Sequence, residues 1–252
     1  MIKILRAGIP LCLNKPDNEF VEGDCTKPEV KDALLAMQHG KCCYCERDLY
    51  ELGSAGKDVE HYIPKHACKD GEGNFQWHVA NRWDNLLYAC KTCNAKKGKE
   101  HPINRTGQLQ IIDPTNERID PEDHIDFRIN YPIITYSEKA SSSLGRSTIR
   151  KLKFNERSEL GSKFRKMILR IDEQVYDLVD AITNNNTEKI NSVKDDLEKA
   201  TSAYLPHAAF ARKYISDRIK DINAKKDYFE GSSGVHFQEI EINICKGYET
   251  AM

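Results

Sequence analysis

Nine cysteines stand in this chain, and four of them form two hooks, Cys42-Cys43-Tyr44-Cys45 and Cys90-Lys91-Thr92-Cys93. The spacing C-x2-C-x44-C-x2-C offers four thiolates to one ion. Each CxxC turn lets two sulfurs converge, and Zn²⁺ accepts four thiolates in closed tetrahedral structural sites. A redox role is the competing use of CxxC. Both pairs, however, sit in polar, Lys-rich surroundings, and neither opens a βαβ unit. A structural zinc held by Cys42, Cys45, Cys90 and Cys93 is expected. Cys12, Cys25, Cys43, Cys68 and Cys245 have no partner spacing and read as packing or surface cysteines.

The segment between the hooks carries Val59-Glu60-His61-Tyr62-Ile63-Pro64-Lys65, and the run Trp83–Lys99 reaches across the second hook. Alone, a Glu-His dipeptide says little. Placed inside the staple, it becomes specific, and the family resemblance carried by these strings implies phosphodiester chemistry for it. That chemistry requires an activated water, neutralised charge on the phosphate and a stabilised leaving oxygen. His61, with an ordinary pKa near 6.5, can take a proton from water at neutral pH. Glu60 and Asn94 offer oxygen ligands, which select a hard cation, Mg²⁺ or Mn²⁺, over a second zinc. His66 and His78 read as loop or surface histidines, with substrate contact as their alternative.

These residues need elements to hold them. Pro28 opens a predicted helix that runs to His39 and stops at Gly40, with Val30, Leu34, Leu35 and Met37 on its apolar side. Gly53, Ser54 and Gly56, then Gly71 and Gly73, mark loops. Short strands are expected at Gln110–Ile112 and Phe127–Ile129. From Leu160 to Ile182 apolar residues recur at three- and four-residue steps, and Asn184–Asn186 breaks that helix. A second helical run covers 188–226, with Pro206 as a break. The expected organisation is an N-terminal arm (1–27), a metal-containing α+β domain (28–135), a helical domain (141–230) and a tail (231–252).

Basic and acidic residues nearly balance, 38 against 39, so no global field favours nucleic acid and any basic surface is local. No stretch approaches the roughly 18 apolar residues of a membrane span. The N-terminal segment is too polar, and too soon broken by Pro10, for a signal peptide. A cytoplasmic location without membrane contact is expected.

Taken together, the strings CCYCER, EHYIPK, NLLYAC and CNAKKGK resemble the HNH endonucleases whose ββα-metal motif is held by a four-cysteine zinc site. More closely, they look like the PtuB-type HNH proteins of Septu and retron-associated anti-phage systems. The resemblance to the motif covers about residues 41–99. It implies an α+β fold class: a zinc-stapled ββα-metal (HNH) domain followed by a mainly α-helical domain. It matches Glu60 and His61 to the end of the first strand, Asn85 to the start of the second and Asn94 to the final helix. The implied role of Asn85 is to fix, by side-chain bonds to backbone, the loop that aims His61. Many family members end the motif with His. Asn94 in that place favours the Mg²⁺ version.

From Leu86 to Arg105 five basic residues face only Glu100, and from Arg146 to Arg170 nine face two acidic ones. Lys96, Lys97 and Lys99 abut the proposed catalytic helix and are expected to contact phosphates, which position a substrate without specifying it. The second run reads equally well as a solvated helix face. No base-reading motif is visible, so DNA and RNA both stay open. The resemblance implies a PtuA-like ATPase partner, and a retron reverse transcriptase with its nucleic acid as a further one. Two rivals stand beside the nuclease: a zinc-stapled nucleic-acid-binding module without chemistry, and a scaffold that docks an ATPase.

Overall fold

Helix α1 (Pro28–Met37) opens at its proline and buries Val30, Leu34 and Met37. Gly40 then turns the chain at φ +70°, where a Cβ would stand 2.1 Å from the Tyr50 ring, so both conformation and space demand glycine. The structure is a computed structural model that describes residues 1–227 and 239–244. Most of the expected tail, 231–252, and Cys245 lie outside the described residues.

The described chain is α+β. After α1 come β1 (Lys57–His61), the short helix α2 (Trp77–Ala80), β2 (Leu86–Cys90) and α3 (Lys91–Lys97). The hairpin strands β3 (Ile125–Asn130) and β4 (Ile133–Glu138) follow, then α4 (Ser143–Lys151), α5 (Ser158–Thr183), α6 (Thr187–Ala200) and α7 (Ala208–Asn223). Each sheet has two strands, β1 with β2 and β3 with β4. No helix among the described residues is long and apolar enough to cross a membrane.

Two compact units form. Among the described residues, the first holds Met1–Asp126 and Tyr136–Glu156, and the second holds Phe127–Thr135 and the residues after Glu156. In the first unit residues 1–6 are irregular but anchored. The Ile4 amide donates to the Pro114 carbonyl at 2.8 Å, and Arg6 donates to the carbonyls of Trp83, Asp84 and Leu86. The segment Gln110–Ile112 forms no strand. The Ile112 amide donates instead to Thr148 Oγ1 of α4 at 2.9 Å, and Ile111 and Ile112 plug the interior. The α4 helix belongs to this unit because Gly145 lets it approach the chain closely: a Cβ there would lie 2.0 Å from the His124 carbonyl oxygen.

In the second unit α5 buries Leu160, Phe164, Ile168, Ile171, Val175, Leu178 and Ile182, the predicted stripe. Val193 and Leu197 of α6 and Ile215 and Ile219 of α7 pack on its C-terminal half. Each such side chain contributes roughly 1.5–3 kcal/mol of burial. Phe164 and Phe210 stack at 4.4 Å, and Phe127 meets both edge-on. Asn186 starts α6 by accepting the Lys189 amide at 3.0 Å, so the predicted breaker also caps.

Candidate active site and metal centre

The first hook follows α1, and Gln38 pins it to β2. Gln38 is 1% exposed; its Nε2 donates to the Lys41 and Tyr88 carbonyls, and its Oε1 accepts the Tyr88 amide, each at 2.7 Å. The second hook straddles the β2–α3 junction. Cys90 ends the strand and caps the helix, its sulfur accepting the Cys93 amide at 3.5 Å. The Cys90 amide in turn donates to Cys42 Sγ at 3.3 Å.

All four sulfurs, of Cys42, Cys45, Cys90 and Cys93, are buried and lie within 4.8 Å of one another. A tetrahedron with metal–sulfur bonds of about 2.3 Å has edges of about 3.8 Å. Cys45 and Cys90 stand 3.8 Å apart. The cluster therefore suits a metal such as zinc. Burial pushes the Cys42 and Cys93 thiols well up, while bonds from Cys42, Cys45 and Cys93 pull Cys90 down. A bound cation lets all four sulfurs ionise. Cys43, inside the first hook, is not one of the four converging sulfurs, although its thiol contacts Cys42.

In the antiparallel β1–β2 pair, Glu60 faces Leu87 and His61 faces Leu86. Just past the strand, Asn85 takes over. Its backbone carbonyl accepts the Tyr62 amide at 3.0 Å, and its Oδ1 accepts the Ile63 amide at 2.7 Å. Its Nδ2 donates to the carbonyls of Ile63 at 3.2 Å and Ala80 at 3.0 Å. Asn85 thus grips the turn that leaves His61.

Glu60, His61 and Asn94 line one cleft of about 650 Å³. Lys31, Lys57, Lys65 and Lys99 line it too, contributed by four separate segments. His61 is buried, and its Nε2 has no hydrogen-bond partner. Burial, and then the Lys65 and Lys97 cations, lower its pKa to about 4; Asn81 beside the ring counters only in part. The imidazole is neutral at pH 7. Burial also pushes the Glu60 carboxyl up, against the pull of Lys97.

Lys97 departs from expectation. It is buried, unlike the exposed Lys96 and Lys99, and so does not offer its charge at the surface. Its side chain is 1% exposed, and its Nζ lies 2.6 Å from Glu60 Oε1 and 2.8 Å from the His61 carbonyl oxygen. Tyr44 also donates to Glu60 Oε1, at 3.2 Å. The donor chemistry of Glu60 and Asn94 still suits a hard cation, but one carboxylate oxygen is shared with an ammonium. His66 is exposed and lines the same cleft, whereas His78 is half-buried in α2 rather than in a loop.

Sequence reasoning missed Gln38, Tyr44 and Asn81, and it misplaced Lys97. One signal was available for the lysine. It follows Cys93 by four residues, so it shares a helix face with a buried thiol. Nothing local marked Gln38 or Asn81: beside the nearby Lys41, Gln38 bonds Tyr88 far along the chain, and Asn81 bonds the distant Val21 carbonyl.

No protein-family model and no solved structure matches the chain. Two curated relatives do. The Septu protein PtuB of Bacillus thuringiensis is 34% identical over 134 residues, which cover 53% of this chain but only 44% of that protein. The Septu protein PtuB of Bacillus mycoides (strain KBAB4) is 24% identical over 261 residues, covering 86% of this chain and 85% of the relative. By sequence, then, this chain is similar to proteins named Septu protein PtuB, over about half its length to one and over most of it to the other.

Proposed function

We propose that the chain is a metal-dependent HNH endonuclease that hydrolyses phosphodiester bonds, the nuclease effector of an anti-phage defence system with a PtuA-like ATPase partner. The observation that carries this reading is the shared cleft: Glu60, His61 and Asn94 line it together, beside the four-cysteine cluster and among lysines. The likeness to Septu PtuB proteins supports the defence role and the partner. A retron reverse transcriptase is the further partner that the motif resemblance implies.

In this reading the His61 imidazole takes a proton from water, and the resulting hydroxide oxygen bonds to phosphorus as the ester P–O bond breaks. General-base help contributes roughly 10²–10⁴-fold. An anionic phosphodiester beside the ring raises its proton affinity again, so basicity develops with substrate in place. Glu60 and Asn94 would hold Mg²⁺ or Mn²⁺, which when bound neutralises the phosphate and the leaving oxygen. Asn85 keeps the His61 turn in place. Lys99 in the cleft and Lys96 outside it bind phosphates, and the cluster of Cys42, Cys45, Cys90 and Cys93 keeps structural zinc.

The test is incubation of the chain, alone and with its ATPase, with plasmid DNA and structured RNA, in Mg²⁺ and in chelator. Metal-dependent cutting that disappears in His61→Ala, with zinc retained, is the expected result. Equal cutting by His61→Ala overturns the mechanism. One observation favours a second reading, a binding or ATPase-docking module without chemistry: Lys97 and Tyr44 already satisfy Glu60 Oε1. That module would bind nucleic acid in a salt-dependent way and never cut it.

A further inference from the structure

Lysine is almost never fully buried unless it is paired. Lys97 has two partners, and they are consecutive residues: the carboxylate of Glu60 and the backbone carbonyl of His61. The contact to His61 joins positions 36 residues apart, from the last turn of α3 to the end of β1. Asn94 sits three residues before Lys97, on the same helix face. The ammonium therefore joins the α3 face carrying Asn94 to the strand end carrying Glu60 and His61. Gly98 follows at φ +53°, letting the chain turn away directly after the lysine.

We infer that Lys97 is a positioning residue: its buried ammonium ties the Glu60 carboxylate and the His61 carbonyl to α3 and so sets the direction of the imidazole. The catalytic relevance of that direction rests on the nuclease reading above; the positioning itself does not. A lysine in this role contributes no phosphate contact. It acts before substrate arrives, by fixing the backbone of the residue that carries the ring. Its loss leaves a carboxylate buried without its counter-charge, and the strand end then shifts to bring Glu60 towards water. A displacement of about 1 Å at a reacting group costs on the order of 10²-fold in rate.

The test uses the full zinc-loaded chain and three readouts. The first is the ring NMR signals of His61 in histidine-labelled protein, assigned by their loss in His61→Ala. The second is single-turnover cleavage. The third is the salt dependence of nucleic-acid binding. Lys97→Ala should shift the His61 signals and slow cleavage about 10²-fold, with the salt slope unchanged. Propylammonium, which replaces the missing stem and charge, should restore both signals and rate. Tetramethylammonium at equal ionic strength, with no N–H to donate, should not. If Lys97→Ala does not fold, Lys97→Met keeps the packed stem and should show the same shift. Lys96→Met, on the exposed side of α3, should reduce the salt slope by about one and leave the ring signals unchanged.

Unchanged His61 signals in Lys97→Met overturn the inference. A salt slope lowered by about one in a Lys97 variant also overturns it, in favour of phosphate contact. Unfolding of both Lys97 variants with no recovery in propylammonium overturns it in favour of a general structural role. A shift rescued by propylammonium in a chain that never cuts upholds the positioning and removes the nuclease reading alone.

Discussion

Replacing Asn85 tests the support beneath His61 most directly. Its side chain makes three bonds to backbone: from the Ile63 amide, and to the carbonyls of Ile63 and Ala80. Asn85 is 6% exposed, so Asn85→Ala opens a small polar void and strips these groups of their partner. A neutral hydrogen bond contributes about 0.5–1.5 kcal/mol net, and an orphaned buried donor costs about 1–3 kcal/mol. Three bonds together put the loss at about 3 kcal/mol. At about 2–4 °C per kcal/mol, the first unit should melt about 6–12 °C lower. Both tryptophans, Trp77 and Trp83, belong to that unit, so their fluorescence reads its unfolding. Asn85→Asp should lose at least as much, because a carboxylate oxygen would then face the two carbonyls that the amide now serves. If Asn85→Asp melts with the native chain, the amide is oriented the other way and this account of the turn is wrong. Cleavage should fall in both variants, since the turn they loosen begins at the residue after His61.

Removing the metal should be more drastic. Cys90→Ser or a strong chelator should release the ion and unfold the first unit, because structural zinc contributes on the order of 10–16 kcal/mol in small domains; Cys43→Ser should retain zinc, and metal analysis with tryptophan fluorescence separates the two. Asp24 provides a pH-dependent term. Burial alone would raise its pKa, but Lys15 at 2.7 Å, Lys27 at 2.8 Å and the Val21 amide hold it at about 2. Its folded pKa is depressed, so its contribution is complete above about pH 4 and lost as pH falls towards 2. Relative to Asp24→Asn, that contribution should be about 1 kcal/mol after solvent screening, read from denaturant titrations at pH 6 and pH 3. Gly145→Ala should destabilise the first unit by about 2 kcal/mol or more, because its Cβ would meet the His124 carbonyl oxygen at 2.0 Å; an unchanged midpoint in urea would contradict that close approach.

Local chemistry was legible because it is written at short range. Cysteine spacing marked the metal cluster, and the four sulfurs converge as two CxxC turns should. The apolar steps from Leu160 to Ile182 marked α5, Pro28 and Gly40 bounded α1, and Asn186 began α6. The failure at Gln110–Ile112 has a tertiary cause: two adjacent β-branched residues read as a strand, but α4 supplies the hydroxyl that takes the Ile112 amide. No pattern within those three residues could announce a partner 36 positions away.

By itself the sequence determined the cysteine hooks and the long apolar stripe of α5, because residue type and spacing are properties of the chain; it was the motif resemblance that singled out Glu60, His61, Asn85 and Asn94. Tertiary structure alone decided which charge meets which. Packing turned Lys97 inward onto Glu60 while Lys96 and Lys99 stayed in water, set Gln38 against β2, and left His61 Nε2 buried and unpartnered. The physical reason is that burial and long-range pairing depend on how strands and helices register in space. A lysine looks the same in sequence whether its ammonium ends in solvent or against a carboxylate.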